Sequence, residues 1–372
     1  MVPYPKFVQF VKQVFSLTVR RTRLENLHLL AYGLLQGRSC CLSRIARFFP
    51  LPTEHTHRLR RLWRFLTNPH FIPEQVYPQL IRALSPRWPA QLPMPLAVDW
   101  TRAGGYELLV AALPWRGRAL PVWAAVCRQD WQGVGTSRNH LEHAFIAAVT
   151  SALRAVRPQM RLVWIADRGF ARLSLFQFLA GLGVDFCIRV NAKTKIAWRG
   201  RNLLLSELAV KPGQTLWLEG VSYRPQGRPF ERGGIRVNLL VAWKRPTHRG
   251  TPQAPQPWYV VTSLESPQQA LAYYRRRMRI EEGFRDWKQR LGLRQAAVST
   301  VERMARLLVG LVLATLVLAL LGLFGLPAGF RRAVLGRGKG SWLWLALQLV
   351  EQAKPPELLR ALKQAALAGG LL

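Results

Sequence analysis

The 372-residue sequence predicts a mixed α/β fold, in which a β-sheet with helices on its faces follows a helical region. Three observations predict this class. Residues 1 to about 90 are predicted to be helical, because apolar residues recur at helical spacing over Phe7–Val19 and Leu24–Leu35. Beyond Pro93, three short apolar runs bounded by Gly, Pro and Arg indicate consecutive strands. Helical and strand patterns then alternate up to Val190, which is typical of a sheet covered by helices.

The region of residues 1–90 contains a short helical pattern, a proline turn and a basic helical segment in succession. The short helix is predicted over Leu42–Phe49, the turn at Pro50-Leu51-Pro52 and the basic helix over Glu54–Leu66. This is the outline of a helix-turn-helix, whose second helix contacts DNA phosphates or base edges. The DNA-contacting side chains would then be those of Arg58, Arg60, Arg61 and Arg64. A plain helical bundle with a basic surface is the alternative.

The sheet is predicted to begin within residues 91–190. The expected strands are Leu96–Trp100, Glu107–Leu113, Leu120–Cys127, Arg161–Ala166 and Asp185–Val190, with helices over Asn139–Val156 and Leu173–Leu182. Asp99 lies at the end of the first strand, and Asp167 directly follows the fourth. Because sites in open sheets form outside the strand ends, these carboxylates meet at one rim if those two strands are neighbours.

Residues 191–263 are predicted to form a β-rich insertion, after which the core resumes over residues 264–330. Short strand patterns occur at Trp198, Leu216–Leu218, Ile235–Trp243 and Trp258–Thr262. Residues 331–372 are predicted to form a helical tail, with a basic loop from Arg337 to Lys339.

A helix is predicted to open at Ser266-Pro267 and to continue to Leu291. At about 100° per residue, one stripe of its surface is apolar and consists of Tyr273, Ile280, Phe284, Trp287 and Leu291. An adjoining stripe consists of Tyr274, Arg277, Glu281, Arg285 and Lys288. It spans roughly 21 Å, which suits a row of DNA phosphates with one acid near its middle. The remaining charged residues, Asp286 among them, are expected to face water. The alternative is an ordinary surface helix with Arg–Glu pairs.

Leu307–Leu326 is a stretch of twenty residues without charge, which is long enough to span a membrane. Arginines flank it on both sides, so neither orientation is favoured. In a chain so rich in basic residues and Trp, a fully buried helix is the favoured interpretation, and a membrane span is the alternative.

The charge balance points to a polyanionic partner. The chain has 54 basic against 19 acidic residues, which gives a formal net charge of +35. Nucleic acid is the expected partner, because each neutralised phosphate releases counterions. None of the four Cys forms a CxxC pair, so neither a zinc ribbon nor a disulfide framework is indicated. A reducing compartment and the absence of a signal-peptide pattern together predict a cytoplasmic protein.

Three acids carry the expected chemistry. Asp167 and Asp99 meet Glu281 if the helix that bears Glu281 crosses the sheet. Three converging carboxylates are costly unless divalent cations hold them together, and oxygen ligands suit Mg²⁺ or Mn²⁺. Two such ions support phosphodiester cleavage. Taken singly, each acid is more simply a turn or capping residue.

The motif Tyr274-x2-Arg277-x3-Glu281-x6-Lys288 resembles the Y-R-E-K signature of DDE transposases of the insertion-sequence-four group. The order of VDWT, ADRGF and RIEEGFRDWK is similar to the three acidic blocks of that group. The resemblance covers most of the chain, from about residue 96 to residue 293.

This resemblance implies a ribonuclease-H-like core interrupted by a β-rich insertion. Its catalytic and metal-binding residues would be Asp99, Asp167 and Glu281. The group's phosphate-binding roles at the transposon end would fall to Tyr274, Arg277 and Lys288. Trp258 is similar in position to a Trp that stacks on a flipped base in that group. The helical region of residues 1–90 looks like the group's end-binding region.

The implied function is cut-and-paste DNA transposition that uses Mg²⁺ or Mn²⁺. The resemblance leaves open whether the reaction passes through a hairpin intermediate. The implied partners are double-stranded DNA, as terminal inverted repeats and as target, and a second copy of the chain on DNA ends. A metal-dependent nuclease without strand transfer is one alternative. A non-catalytic basic DNA-binding protein is another.

Overall fold

The computed structural model describes residues 2–88, 93–130, 137–223, 234–245, 256–335 and 340–368. Residues 2–88 are helical, as the apolar spacing predicts. The helices there are α1 Tyr4–Phe15, α2 Arg21–Gly37, α3 Leu42–Arg47, α4 His55–Thr67 and α5 Pro73–Leu84. The next elements are β1 Met94–Ala103, β2 Tyr106–Trp115, β3 Arg118–Arg128, α6 Arg138–Val156, β4 Leu162–Ala166, α7 Leu173–Gly181 and β5 Asp185–Val190.

The second half of the chain adds further strands and then returns to helices. The strands are β6 Lys195–Trp198, β7 Arg201–Leu204, β8 Thr215–Tyr223, β9 Ile235–Ala242 and β10 Trp258–Thr262. The helices are α8 Pro267–Arg276, α9 Met278–Arg285, α10 Val301–Phe324, α11 Phe330–Leu335, α12 Trp342–Gln352 and α13 Pro355–Leu367. The expected basic loop from Arg337 to Lys339 lies outside the described residues.

The described strands form one ten-stranded sheet in the order β3-β2-β1-β4-β5-β10-β9-β8-β6-β7. β4 lies parallel to both β1 and β5, whereas the other neighbouring strands are antiparallel. The first five strands have the order of a ribonuclease-H-like core. The predicted mixed α/β fold class is therefore confirmed.

The strands within residues 191–263 do not fold back into a separate sheet. β10 pairs with β5, and β9, β8, β6 and β7 follow outward from it. Strand β7 was missed by the pattern analysis, because its residues are half-exposed or exposed and show no apolar alternation. The division of the chain into domains stays a prediction.

Helices cover the two faces of the sheet. On one face, α8 packs against residues of β4 and β10, including Ile165 and Val260. On the other face lie α6 and α7, where the indole Nε1 of Trp164 donates to Thr150 Oγ1 at 3.2 Å. Because successive strand residues point to opposite faces, Ile165 and Trp164 contact different helices. The same alternation determines on which face of the sheet the carboxylate of each strand lies.

The helix expected from Ser266 to Leu291 begins as predicted but is not regular throughout, although Arg277, between its two α-helical parts, keeps helical backbone angles (φ −52°, ψ −41°). Ser266 Oγ accepts from the Gln269 amide at 3.3 Å, as an N-cap should. The chain leaves α8 at Arg276, restarts at Met278 and ends in a π-helical turn, Asp286–Arg290. The expectation of one regular helix is therefore wrong. Its apolar stripe is nevertheless buried along its whole length.

A buried acid holds the π-helical turn. Asp286 Oδ2 accepts from Arg118 Nε at 2.8 Å, and Asp286 Oδ1 pairs with Arg290 Nε at 2.9 Å. Beside it, Trp287 Nε1 donates to Thr315 Oγ1 at 3.0 Å. The prediction that Asp286 faces water is wrong, because Arg118 on β3 supplies a partner that helical spacing does not reveal.

Helix α10 contains most of the uncharged stretch and is a core helix. It is long and apolar enough to cross a membrane, yet 89% of its most apolar window is buried by the rest of the chain. It packs against α2, α12, α13 and β3. A Cβ at Gly322 would collide with the Trp342 carbonyl oxygen, so this glycine permits the close approach of α12. The buried-helix interpretation agrees with these contacts.

Candidate active site

The two aspartates lie at adjacent strands. β1 and β4 are parallel neighbours, and Ala97 pairs with Ile165. The same register, continued by two residues, sets Asp99 level with Asp167. Both side chains then point to the face that α8 and α9 cover. The two strands are neighbours, as a shared site for these carboxylates requires. The prediction that Asp99 ends its strand is wrong, because β1 continues to Ala103 through its pairing with β2. Asp167 does directly follow β4.

Backbone groups orient both aspartates. Asp99 Oδ1 accepts from the Trp100 amide at 2.8 Å. Asp167 caps a short 3-10 turn, Arg168–Phe170, and its Oδ1 accepts from the Gly169 amide at 2.7 Å. A Cβ at Gly169 would lie 3.0 Å from that carboxylate oxygen, which leaves little room for any other residue. Glycine is therefore the residue that fits best at position 169.

Arg277 joins the third acid to the first. One of its terminal nitrogens lies 3.3 Å from Asp99 Oδ2, and the other donates to Glu281 Oε1. Arg277 is buried, with 8% of its surface exposed, and it lies at the break between α8 and α9. The side chains of Asp99 and Glu281 are 16% and 43% exposed. A single guanidinium thus links a strand carboxylate to a helix carboxylate that solvent can reach.

The pKa of Asp99 reflects its burial and the negative charges around it. Burial raises the pKa of Asp99 to about 7, the charges of Asp167 and Glu281 raise it too, and Arg277 opposes them. These interactions indicate that all three acids act on one site. Near neutral pH, the paired guanidinium does not fully offset the three carboxylates.

Two of the remaining stripe residues lie on the helix beyond Glu281. Lys288 is half-buried within the π-helical turn. Burial and the charge of Arg294 lower the pKa of Lys288, whereas the charge of Asp99 raises it. Arg285 is exposed and pairs with Glu282 at 3.0 Å.

Tyr274 and Trp258 form an aromatic corner beside these groups. Tyr274 is buried, and burial raises its pKa. Its ring packs edge-on against the ring of Trp258, with centroids 5.2 Å apart. Trp258 is half-buried at the start of β10. The expected base-stacking residue thus adjoins the helix that carries Arg277.

The four arginines of the helix-turn-helix hypothesis all lie on α4. Arg60 and Arg64 are exposed, whereas Arg58 and Arg61 are half-buried. Arg61 Nε donates to Asn26 Oδ1 at 2.7 Å, so this side chain also contacts α2. Within the described part of the chain, no ion pair joins these arginines to the three acids. Their contact with DNA stays a prediction.

The carboxylates of Asp99, Asp167 and Glu281 are chemically suited to binding a divalent metal ion. Carboxylate oxygens are the ligands that Mg²⁺ and Mn²⁺ prefer. Asp99 and Glu281 already share one cationic group, and the raised pKa of Asp99 shows that more positive charge would stabilise its ionised form. Among the described residues, no three acidic, His or Cys side chains are arranged as a ready metal-binding group. Because Arg277 bridges two of the acids, its guanidinium must yield before both bind the same ion.

A second charged cluster, which the sequence analysis missed, lies on the opposite face of the sheet. It is centred on Glu142 of α6, which is almost fully buried. One signal was available, because Glu142 precedes Phe145 and Ile146 by three and four positions and therefore lies on the apolar stripe of its helix. A carboxylate on a buried stripe requires partners from elsewhere in the chain.

Comparison with known proteins adds one finding. The family model described as a transposase DDE domain matches residues 132–317, which is half of the chain. The matched segment includes Asp167 and Glu281 but begins after Asp99. No curated protein matches the chain.

Proposed function

The chain belongs to the transposase DDE domain family, and from that membership we propose that it is a cut-and-paste DNA transposase of the insertion-sequence-four group. The observation that carries the proposal is the link between Asp99 and Glu281 through Arg277, with Asp167 close enough to raise the pKa of Asp99. An under-neutralised set of three carboxylates is what metal-dependent phosphoryl chemistry requires.

Asp99, Asp167 and Glu281 are the proposed catalytic residues and the ligands for Mg²⁺ or Mn²⁺. When bound, the divalent metal supplies Lewis-acid stabilisation of the charge on the attacking and leaving oxygens. The carboxylates must be ionised to act as ligands, so Asp99 loses its proton when the site is loaded. The Gly169 amide and the Trp100 amide hold the two aspartates in orientation.

The proposed reaction has two phosphoryl-transfer steps. In the first, a water oxygen bonds to the phosphorus at the element's end, and the bond to the 3′ oxygen breaks to leave a free 3′-OH. In the second, that hydroxyl attacks the opposite strand or target DNA, forms a new phosphodiester and releases another strand end. Attack on the opposite strand would give a hairpin.

The positive side chains beside the acids are proposed to bind DNA. Lys288, whose charge interacts with Asp99, would hold a phosphate next to the scissile bond. Arg277 would exchange its carboxylate partners for phosphate when metal binds, and Arg285 would contact the backbone from its exposed position. Tyr274 would support the ring of Trp258, on which an unpaired base would stack. The four arginines of α4 would bind the terminal repeat.

DNA is the partner of this family, and the finer assignments are part of the proposal. They are terminal inverted repeats and target DNA as substrates, a homodimer on the paired ends, and a cytoplasmic location. The net charge of +35 supports the DNA assignment.

The function is tested by incubating the protein and Mg²⁺ with DNA from both sides of its coding region and a target plasmid. A transposase cleaves at the element's ends and joins them to the plasmid, whereas a nuclease of the same fold only cleaves. Glu281→Ala is expected to abolish cleavage while DNA binding in EDTA is retained. Unchanged cleavage by that variant would remove Glu281 from the mechanism, and metal-independent binding without cleavage by the wild type would favour a non-catalytic DNA-binding protein.

A further inference from the structure

Glu142 is a buried carboxylate whose partners lie close in the chain to two proposed metal ligands, Asp99 and Asp167. Its Oε1 accepts from Trp100 Nε1 at 2.7 Å and from Arg138 Nε at 3.2 Å. Its Oε2 forms an ion pair with Arg172. Glu142 is 1% exposed, so these partners replace the water that its charge would otherwise require.

Trp100 connects Glu142 to the first aspartate. Because alternate residues of a strand point to opposite faces, Asp99 faces α9 while Trp100 faces α6. The Trp100 amide also donates to Asp99 Oδ1. A shift of Trp100 therefore moves both the backbone and a hydrogen-bond donor of the Asp99 carboxylate.

Arg172 connects Glu142 to the second aspartate. It ends the short segment that begins at Asp167, passes through the 3-10 turn and leads into α7. The guanidinium of Arg172 pairs with the same carboxylate that holds Trp100. One side chain of α6 thus contacts the residue after Asp99 and the end of the segment after Asp167.

Stability alone does not account well for such an arrangement. Well-packed apolar residues stabilise a core as well as a buried ion pair does, and often better. Charged and directional contacts instead define relative position. Groups behind the ligands of a metal site commonly orient those ligands, and their loss weakens metal affinity.

We propose that Glu142 is a positioning residue that holds Asp99 and Asp167 in register from behind the sheet and so sets the affinity of the site for divalent cations. The proposal rests on the metal-binding role given to these aspartates in the proposed function. It assigns to α6 a task that involves no contact with metal or DNA.

Binding of Mn²⁺ to the DNA-free protein tests this directly, measured from the electron paramagnetic resonance signal of the free ion. Asp99→Asn identifies the site, because it should remove the tightest binding. Glu142→Gln keeps the size of the side chain and removes its charge. It is expected to weaken Mn²⁺ binding by about tenfold or more, as removal of supporting groups does at other metal sites.

Glu107→Gln is the matched control. Glu107 is also buried, with 5% exposed, and pairs with Arg102 at 3.0 Å and with Arg138 at 3.9 Å. It shares Arg138 with Glu142, and among the described residues its ion pairs are with Arg102 and Arg138 rather than with Arg172. Its Mn²⁺ affinity should stay within about twofold of the wild type. Equal weakening in both variants, or unchanged affinity in Glu142→Gln, would overturn the proposal.

Trp100→Phe guards against a variant that fails to fold, because it removes the indole N–H and retains a large aromatic ring. It should weaken Mn²⁺ binding in the same direction as Glu142→Gln, with a thermal midpoint close to that of Glu107→Gln. If neither variant changes Mn²⁺ affinity while Asp99→Asn abolishes it, only the role of Glu142 is lost. If Asp99→Asn has no effect, the metal site of the proposed function is itself wrong and this inference is lost with it.

Discussion

The two faces of the sheet carry two clusters of acids and arginines with opposite charge balance. On the front, Asp99, Asp167 and Glu281 share one paired guanidinium, that of Arg277, among the described residues. On the back, Glu107 and Glu142 are paired with three guanidiniums, those of Arg102, Arg138 and Arg172. The carboxylates of Asp99 and Glu281 at the front are partly open to solvent, whereas those of Glu107 and Glu142 at the back are almost wholly buried.

This difference separates two uses of the same side chains. A carboxylate with surplus positive partners is neutralised, so it can be buried and can fix a position. A carboxylate with too few positive partners retains affinity for a further cation, and its pKa stays raised while no such cation is bound. The charge balance of the front therefore suits the binding of a cation, and that of the back suits holding neighbouring elements in position.

The largest expected effect is on the reaction. Asp167→Asn removes the charge of a proposed metal ligand from the front, and cleavage in Mg²⁺ should fall at least a thousandfold, equivalent to about 4 kcal/mol in activation free energy. Asp185→Asn is the matched control, because Asp185 opens the adjacent strand β5 and pairs with Arg161 away from the three acids. Cleavage at the wild-type rate in Asp167→Asn would show that the front cluster is not catalytic.

The next effect concerns stability and should appear only at the back. Glu142→Ala leaves the indole N–H of Trp100 and the half-buried guanidinium of Arg172 without their carboxylate, which costs about 1–3 kcal/mol of unfolding free energy. Glu281→Ala removes a half-exposed carboxylate and should change unfolding free energy by only about 0.5 kcal/mol. Urea unfolding in EDTA measures both. Similar losses at the two positions would contradict the contrast between the faces.

A pH-dependent effect on stability should appear at the front, through Asp99. The pKa of Asp99 is raised from 3.8 to about 7, so the folded protein holds this proton more tightly than the unfolded chain does. The resulting stabilisation is complete below about pH 4 and is lost as pH rises to about 7. It amounts to about 2–4 kcal/mol, at 1.36 kcal/mol per pKa unit and allowing for partial exposure.

Asp99→Asn removes this dependence. In metal-free buffer its unfolding free energy should decline less steeply between pH 4 and pH 7 than that of the wild type, measured by urea unfolding at each pH. Glu107→Gln, altered at the back, is the control for the loss of a buried carboxylate elsewhere in the sheet. Parallel curves for Asp99→Asn and the wild type would show that Asp99 does not carry a raised pKa.

The smallest effect is on DNA binding. Lys288→Ala should weaken binding to end DNA in EDTA and reduce the slope of log affinity against log salt by about 0.9, the contribution of one phosphate contact. Lys363→Ala, on the exposed side of α13, is the control and should leave the slope unchanged. An unaltered slope in Lys288→Ala would place its ammonium away from the DNA backbone.

Much of this architecture was predictable from local pattern. Helical spacing predicts the helical character of the region of residues 1–90 and the helices α6 and α7, and apolar runs predict the strands β1 to β5, because burial of an apolar stripe or face imposes a period on the sequence. The Ser266 cap, the position of Asp167 directly after a strand, and the spacing of Arg277, Glu281 and Lys288 are all local features as well. The sequence alone thus determined the candidate acids and the fold class that brings two of them together.

Only the tertiary structure decided how the charges are paired. Arg277 meets Asp99 across 178 residues of chain, and Arg118 meets Asp286 across 168, so no local period reports either contact. The same holds for the π-helical turn, for the extension of the sheet by β6 to β10, and for the cluster around Glu142. A charged side chain is stable when buried only if partners reach it, and those partners come from whichever elements the fold makes neighbours.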